Sequence, residues 1–379
     1  MRTEICKRLG IEFPIFAFSH CRDVVAEASK AGAFGVLGAV GFTPEQFARE
    51  LDLLDKAVGD RPYGVDVVVP THDVTGAEKD PETLRQELFN GIPQAHQAYA
   101  KKILSESGVP ELPQGTKHEG EYLLRSTAAT ARRHVEIALQ HPNVRVVANA
   151  LGAPPPEMVQ AIKASGRLVA GLCGKPEHAR RHAAAGVDII VAQGTEGGGH
   201  TGEIGSVVLW PEVVEAVKPI PVLAAGGVGS GAQIAAAMVL GAQGVWCGSL
   251  WLTTIESELN ETAKELLISA KSSDTVRSRS QTGKPSRMLR NRWTEAWDKP
   301  DAPRPLPLPL QDMISAECSA RARAYPAKAR EVTINPVGQI VGRLNQVSRT
   351  RDVVAALVEE YLEAADRLNK ILEADLYDS

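Results

Sequence analysis

Short apolar runs alternate along the chain with segments of helical periodicity, such as Pro176–Ala185 and Ala232–Leu240. The runs are rich in Val, Ile and Ala and show little apolar–polar alternation, which is typical of strands buried on both faces of a parallel sheet. Strands that alternate with helices indicate βαβ units. Eight units match a closed α/β barrel, the (β/α)₈ TIM barrel, better than an open sheet of five or six strands. The eight runs are Pro14–Phe18, Phe34–Gly38, Tyr63–Val69, Val144–Ala148, Leu168–Leu172, Asp188–Ala192, Pro221–Ala225 and Gly244–Gly248.

Two long segments interrupt this alternation. The first, from about residue 70 to 126, is polar and holds a helical stretch near Pro93–Ser105. The second, from about residue 272 to 336, carries a proline cluster at residues 303–309. Long insertions of this kind usually form lids or substrate loops. A surface elaboration or a dimer contact is the competing interpretation.

The end of the chain, Ser348–Leu376, predicts one helix that packs against the barrel wall. Its apolar positions are Val353, Val354, Leu357, Val358 and Leu362. The predicted organisation is therefore a barrel over residues 1–270 with an insertion at about 70–126, a substrate or lid segment over 271–340, and a C-terminal helical segment over 341–379.

A glycine-rich turn, Ala224–Gly231, follows the seventh predicted strand and opens a helix. Glycines let the backbone approach an anion closely, and the amides of the turn and of the helix N-terminus point towards it. The eighth strand ends in Cys247-Gly248-Ser249. Many barrels bind phosphate between these two loops, so we predict a phosphate site here, although both loops could be merely tight turns.

A second glycine-rich loop, Gln193–Gly202, follows the sixth strand at the C-terminal mouth, where barrel enzymes carry out their chemistry. Its three consecutive glycines would let something flat or large approach. His200 then projects from a mobile loop, and histidine is the side chain best suited to accept a proton near neutral pH. We predict His200 as the catalytic base. Glu196 is an alternative acid or base that could instead only anchor the loop.

The remaining histidines carry weaker signals. His178 and His182 have the i, i+4 spacing of helical metal ligands. Arginines stand between them and no third ligand is near in sequence, so a surface helix is expected rather than a metal site. His20 ends the first strand and could line the site.

Charge and length exclude several classes of protein. With 42 Lys and Arg against 46 Asp and Glu, the formal net charge of −4 argues against a nucleic-acid partner. No apolar run approaches the roughly 20 residues that span a bilayer, and the N-terminus lacks the apolar stretch of a signal peptide. A cytoplasmic location is the default expectation. The five cysteines contain no C-x-x-C pair, so buried thiols are expected rather than disulfides or zinc ligands.

From Ile11 to about Thr254, outside the first insertion, the sequence resembles the nitronate monooxygenase (nitropropane dioxygenase) family, most specifically in the glutamine-to-histidine loop and the double-glycine turn. The resemblance implies an FMN-binding (β/α)₈ barrel with an added substrate domain, in which FMN carries the redox chemistry. It places His200 on the base that removes the proton α to a nitro group. It places the flavin-binding positions on Phe18, Ser19, His20, Gln193, Gly194, Gly198, Ala225, Gly226, Gly227, Gly248 and Ser249.

The chain departs from the family after the first and third strands. Phe16-Ala17-Phe18-Ser19 stands where Met and Gly are frequent, and Asp66 stands where asparagine is common. We place Asp66 among the cofactor-binding residues, because a carboxylate near the flavin would alter its electronics and the choice of substrate.

Alternatives stay open on the same scaffold. The small-molecule substrate could be a nitronate, or the protein could be a flavin reductase that uses NAD(P)H or an enzyme that acts on acyl-CoA. A basic run could hold the phosphates of such a carrier, although a solvated face is the commoner explanation. A flavin-free barrel lyase or isomerase acting on a sugar phosphate is a third hypothesis, and a non-enzymatic binding module is the remotest. A homodimer is left open. The basic run comprises Lys271, Arg277, Arg279, Lys284, Arg287, Arg290 and Arg292.

Overall fold

A computed structural model describes residues 1–69, 81–113 and 127–377. The eight predicted strands are all present and close into one parallel barrel, which confirms the TIM-barrel prediction. Within the described ranges the strands are β1 (Ile15–Ser19), β2 (Phe34–Gly38), β3 (Tyr63–Val67), β4 (Val144–Asn149), β5 (Leu168–Cys173), β6 (Ile189–Gln193), β7 (Gly199–His200), β8 (Val222–Ala225), β9 (Gly244–Cys247), β10 (Thr275–Ser278) and β11 (Ser286–Leu289). The barrel order is β1-β2-β3-β4-β5-β6-β8-β9, with β9 paired back to β1.

Helices cover the outside of the barrel, and the barrel strands are mostly apolar because they are buried on both faces, with Asp66 on β3 and Arg145 on β4 as charged exceptions. In the described ranges the helices are α1 (Glu4–Leu9), α2 (Arg22–Lys30), α3 (Pro44–Val58), α4 (Pro81–Asn90), α5 (Gln94–Glu106), α6 (Ala128–Ala138), α7 (Pro156–Ala164), α8 (Pro176–Ala184), α9 (Ser206–Val217), α10 (Gly231–Val239), α11 (Glu261–Ser269), α12 (Arg292–Trp297), α13 (Leu310–Ala324) and α14 (Thr350–Tyr377). None of them is long and apolar enough to cross a membrane.

The barrel interior is filled by side chains and closed at its N-terminal end. Phe16 and Phe34 pack inside with their ring centroids 4.9 Å apart. Ile5 and Leu9 of α1 belong to the same buried cluster. Thr3, which precedes α1, donates a hydrogen bond to the carbonyl oxygen of Gln243 just before β9. Among the described residues, helix α1 therefore closes the N-terminal end of the barrel.

The C-terminal helix exists as predicted and packs on α10. Val354 and Leu357 are buried. A Cβ added to Gly231 would lie 2.1 Å from the backbone nitrogen of Tyr361, so the two helices touch through their backbones. The expectation for Leu362 is wrong, because this side chain is 56% exposed beyond the contact with α10.

The second long segment builds structure of its own. Strands β10 and β11 form an antiparallel hairpin that continues onto β7. Helices α12 and α13 pack with α5 of the first insertion around Trp293 and Trp297. The remainder of the first insertion, residues 70–80 and 114–126, lies outside the described residues. The division into barrel, substrate segment and C-terminal segment stays a prediction.

Two smaller expectations have different outcomes. All five cysteines are buried and free, as predicted. Of the two histidines on α8, His178 is exposed, whereas His182 is buried and donates from Nε2 to the carbonyl oxygen of Leu172 at 2.9 Å. Its ring packs where Gly171 has no side chain. Within residues 1–69, 81–113 and 127–377, no group of three or more His, Cys, Asp and Glu side chains could hold a metal ion.

Candidate active site

Barrel closure brings most of the predicted site residues together at the C-terminal mouth. Strand β8 pairs with β6 on one side and with β9 on the other, and β9 pairs with β1. The glycine-rich loops after β6, β8 and β9 are therefore neighbours of the end of β1, which carries Phe18, Ser19 and His20. Asp66 enters from β3, two strands away from β1.

The turn after β8 has the geometry of an anion cradle. Gly226 and Gly227 have φ angles of +87° and +73°, which other residues rarely adopt. Together with Gly248 and Ser249 after β9, they present four backbone N–H groups that have no acceptor in the described parts of the chain. Buried or half-buried N–H groups are normally paired, so this set fits a phosphate group. Ala225 is the last residue of β8 and is buried, and its carbonyl oxygen accepts from Gly194.

The start of helix α10 takes a smaller part in this cradle than the sequence suggested. The N–H of Gly231 donates to the Glu360 carboxylate of α14 at 2.8 Å. The N–H of Gly229 donates to the side chain of Gln233 at 2.8 Å. Since these donors are already used, the expectation that the N-terminus of α10 points at the anion is wrong for them, and the turn itself supplies the free amides.

The glycines of the Gln193–Gly202 loop serve mainly to pack protein against protein. A Cβ at Gly194 would lie 2.0 Å from Oγ of Ser206 at the start of α9, and one at Gly198 would lie 2.8 Å from the nitrogen of Gly338. The idea that the three consecutive glycines clear space for a ligand is therefore wrong at Gly198, and Gly194 likewise packs against protein. Gly199, with φ +74°, is the member with no atom within 4 Å of an added Cβ. Gln193 lies beneath the loop and reaches the carbonyl oxygen of Gly198 at 3.4 Å.

Glu196 anchors the loop and does not face the mouth as a free acid. Its carboxylate accepts from the backbone N–H of Ser206 at 3.0 and 3.1 Å and from the hydroxyl at 2.7 Å. A carboxylate at the N-terminus of α9 is electrostatically favourable. The carbonyl oxygen of Gly226 forms a 2.8 Å hydrogen bond with the same hydroxyl. Ser206 thus ties the loop after β6 to the phosphate turn after β8.

His200 is held on a strand, which corrects the expectation of a mobile loop. It pairs with Ser286 across the β7–β11 contact. Its Nδ1 lies 3.2 Å from the carbonyl oxygen of Pro285. A carbonyl only accepts, so Nδ1 carries the proton and Nε2 keeps a lone pair. Oγ1 of Thr282 is 3.5 Å from Nε2.

The surroundings of His200 favour the neutral ring. Partial burial lowers the pKa of His200, and the positive charge of Lys284 lowers it further, against the opposing effect of the Pro285 carbonyl. A neutral imidazole with an unprotonated Nε2 at pH 7 is the form that can accept a proton.

The end of β1 forms an aromatic wall of the mouth. Phe18 stacks on Trp246 of β9 with ring centroids 5.8 Å apart, and His20 meets Phe18 edge-on at 5.2 Å. Nδ1 of His20 lies 3.2 Å from the carbonyl oxygen of Gly38. Ser19 accepts a hydrogen bond from the N–H of Cys21, which leads into α2. Phe18 also lies 3.7 Å from a Cβ added at Gly248, beside the anion cradle.

Asp66 is a buried carboxyl group inside the barrel. It is 6% exposed, and its Oδ1 has no hydrogen-bond partner in the described part of the chain. Burial alone raises the pKa of Asp66 to about 7. Titrating groups with displaced pKa values in a cleft are typical of functional sites.

The predicted basic run does not form one exposed patch. Arg287 is buried, and its guanidinium donates to the carbonyl oxygen of Thr195 at 2.8 Å and to Oγ1 of Thr275 at 3.0 Å. Arg292 forms ion pairs with Glu106 and Glu331. The hypothesis that Arg287 binds the phosphates of a carrier is therefore wrong, because its charge holds the β10–β11 hairpin against the loop after β6.

Arg287→Met is expected to destabilise the protein by about 2–4 kcal/mol, because hydrogen bonds to a charged group contribute roughly 1.5–3 kcal/mol each. Chemical denaturation measures this change. Arg290→Met is the matched control, since Arg290 is exposed, and it should leave stability within about 0.5 kcal/mol. Equal stability of the two variants would contradict the anchoring role.

Sequence reasoning missed the partners that arrive from the C-terminal third of the chain. The N–H of Gly338 donates to Oγ of Ser249 at 2.9 Å, and Gln339 donates from its N–H to the carbonyl oxygen of Glu196 at 2.9 Å. This crossing segment covers the loops after β6 and β9.

A separate cavity of about 300 Å³ lies on the far side of Gly229, between α14 and Arg343, and includes none of the predicted site residues.

Known proteins resemble the chain over nearly its whole length. A family model described as nitronate monooxygenase matches residues 3–360. A Mycobacterium tuberculosis protein named as a monooxygenase, Rv1533, is 48% identical over 379 residues, covering 98% of this chain and 100% of that protein. Nitroalkane oxidase from Streptomyces ansochromogenes has a TM-score of 0.78 at 26% identity, covering 96% of this chain and 99% of that one. FabK from Thermotoga maritima has a TM-score of 0.73 at 23% identity, covering 98% and 99%, and shares the fold.

Proposed function

This chain is an oxidoreductase of the nitronate monooxygenase family, and from that premise we propose that it is an FMN-dependent enzyme that oxidises alkyl nitronates with O₂. His200 is the proposed base for neutral nitroalkanes. The substrate is a small molecule that enters through the C-terminal mouth.

The observation that carries this proposal is the state in which His200 is held. Pro285 fixes the tautomer by accepting from Nδ1, and burial keeps the ring neutral. The lone pair on Nε2 is then available to take the proton α to a nitro group, which leaves the substrate as a nitronate. The Pro285 carbonyl stabilises the imidazolium that forms, because it keeps accepting from Nδ1–H.

The residues at the mouth fit FMN. The four free amides of Gly226, Gly227, Gly248 and Ser249 would bind its phosphate. The aromatic wall of Phe18 and Trp246 offers a flat apolar surface beside that cradle. FMN, when bound, supplies a two-electron acceptor that O₂ can reoxidise.

Electrostatics at the mouth suit an anionic substrate. The positive charge of Lys284 acts on His200 and comes from the same turn that holds it. A cation beside the base attracts a nitronate and opposes protonation of the imidazole. The buried Arg287 adds positive charge behind the loop.

The absorption spectrum of the purified protein, followed by anaerobic mixing with a nitronate, tests the proposal. We expect visible flavin bands that bleach on addition of propyl-2-nitronate and return when O₂ is admitted. FMN identified by chromatography after denaturation would settle the cofactor. Protein without flavin bands would overturn the proposal and favour the flavin-free lyase or isomerase.

Anaerobic mixing with NADH or NADPH separates the reductase alternative. We expect flavin reduction by these donors to be at least tenfold slower than reduction by the nitronate. Fast reduction by a nicotinamide without reduction by the nitronate would replace the proposed function with a flavin reductase or an enzyme acting on acyl thioesters.

A further inference from the structure

Resting on the proposed flavin site, we propose that Asp66 binds the cofactor as a neutral carboxylic acid, so that flavin binding is coupled to uptake of a proton at this side chain. The side chain is part of the barrel interior at the level where the strands end. It pairs in register with Gly38 of β2 and with Ala148 of β4.

The residues paired with Asp66 provide no polar side chain to hydrogen-bond its buried carboxyl group. Gly38 has no side chain and Ala148 offers only a methyl group. Oδ1 is buried and unpaired in the described part of the chain. A buried polar group without a partner costs free energy that a ligand recovers when it supplies the missing hydrogen bond. The ring of His20 fills the space over Gly38. A ligand would therefore approach the Asp66 carboxyl from the C-terminal mouth of the barrel.

The protonated acid suits the cofactor better than the carboxylate does. A carboxylate only accepts hydrogen bonds, whereas the acid donates one and keeps acceptor capacity. The isoalloxazine ring of FMN carries two carbonyl oxygens and ring nitrogens that accept. A buried negative charge facing these acceptors would be repelled, and burial in the apolar barrel already disfavours ionisation.

Among the other titratable groups around β3, His20 is the near neighbour, because its ring packs over Gly38, the register partner of Asp66. His20 follows β1 and faces the mouth, and His200 lies on β7. Asp55, His134 and His141 lie on the outer side of β3, where Asp55 accepts from Tyr63 and His141. The exposed Lys284 belongs to the β10–β11 turn. In the described residues, the interior faces of β2 and β4 next to Asp66 carry no ionisable side chain.

The test measures the FMN dissociation constant of the full-length protein between pH 5.5 and 9 by ultrafiltration and flavin fluorescence. For the native sequence, we expect the dissociation constant to rise above pH 7 by up to about tenfold per pH unit, the slope of one coupled proton. In Asp66→Asn the rise should vanish while FMN stays bound, because the amide donates a hydrogen bond at every pH. The phosphate of FMN, whose second pKa is about 6, titrates equally in both proteins.

A second measurement does not depend on any variant. Adding FMN to the flavin-depleted protein at pH 8 in weak buffer should consume close to one proton per FMN, read with a pH indicator. His20→Asn can change the absolute affinity for FMN, because His20 packs in the wall of the mouth, but it should keep both the slope and the proton uptake. A slope that survives in Asp66→Asn, or that disappears in His20→Asn, would overturn the proposal. Protein that binds FMN with no pH dependence would also overturn it and leave the proposed function intact, whereas protein that binds no FMN would overturn the proposed function itself.

Discussion

Replacing His200 with asparagine is expected to lower kcat/KM for a neutral nitroalkane by about 10²–10⁴-fold, the usual contribution of a positioned base. Asparagine cannot accept the proton, but it can still donate to the Pro285 carbonyl. For the preformed nitronate of the same compound the loss should be below about tenfold, since that substrate has already lost its proton. Steady-state oxygen consumption measures both rate constants in the same variant.

Two results would count against this role of His200. Equal losses with both substrate forms would show that His200 binds the substrate or holds the loop. No loss with either form would transfer the base to another mouth residue, with His20 and Asp66 next in line. His178→Asn is the matched control, because His178 is exposed on α8, and its rates should equal those of the native protein.

Gly226→Val is expected to give colourless protein. The φ angle of +87° is strained for valine, and its Cβ would lie 2.8 Å from the carbonyl oxygen of Gly194 and 2.9 Å from the nitrogen. These backbone atoms cannot move without separating the loops after β6 and β8, so the free amides would no longer converge. We expect loss of more than nine tenths of the bound flavin, measured as the ratio of visible to 280 nm absorbance.

Gly59→Val separates backbone strain from loss of the cradle. Gly59 also has a left-handed φ angle, +69°, but an added Cβ meets no atom within 4 Å, and the residue lies at the end of α3. With ψ at −117° the backbone of Gly59 lies outside the left-handed helical region, and a side chain in such a sparsely populated conformation costs on the order of 1–3 kcal/mol. This variant should lose some stability and keep its flavin. A Gly226→Val protein with full flavin content would mean that the cradle lies elsewhere.

The barrel and the left-handed glycine turn after β8 could be predicted because their signals are local. Strands buried on both faces are largely apolar, and each of the eight runs matches a strand to within two residues at either end. Asp188 lies just outside β6, and its carboxylate accepts from the N–H of Val169 and from Lys163. Consecutive glycines in a strand-to-helix turn likewise indicate left-handed backbone, which Gly226 and Gly227 adopt.

The environment of His200 could not be predicted because it depends on distant partners. A two-residue strand has no periodicity, and β7 forms only because β11 lies beside it. The same cause explains the wrong interpretation of Arg287. The spacing of the basic residues suggested a solvated run. The groups that accept from the Arg287 guanidinium are the carbonyl of Thr195, which is distant in sequence, and the hydroxyl of Thr275 on the paired strand β10.

Gly194 and Gly198 show a further limit of sequence reasoning. A glycine-rich loop at a barrel mouth suggests room for a ligand, but the added atoms would strike Ser206 and Gly338. The sequence indicates that side chains are absent, and only the fold shows whether protein or ligand takes the space.

The pairing of β7 with β11 has a consequence for how such enzymes diverge. The proposed phosphate cradle belongs to the barrel, whereas the direction of the His200 ring is set by Pro285 and Thr282 in the appended hairpin. Under the proposed function, cofactor binding and the geometry of proton transfer are therefore encoded in two separate stretches of the gene. Substitutions in the hairpin can change the direction of the proposed base, and with it the shape of the substrate that it deprotonates. The barrel residues proposed to bind the cofactor stay the same.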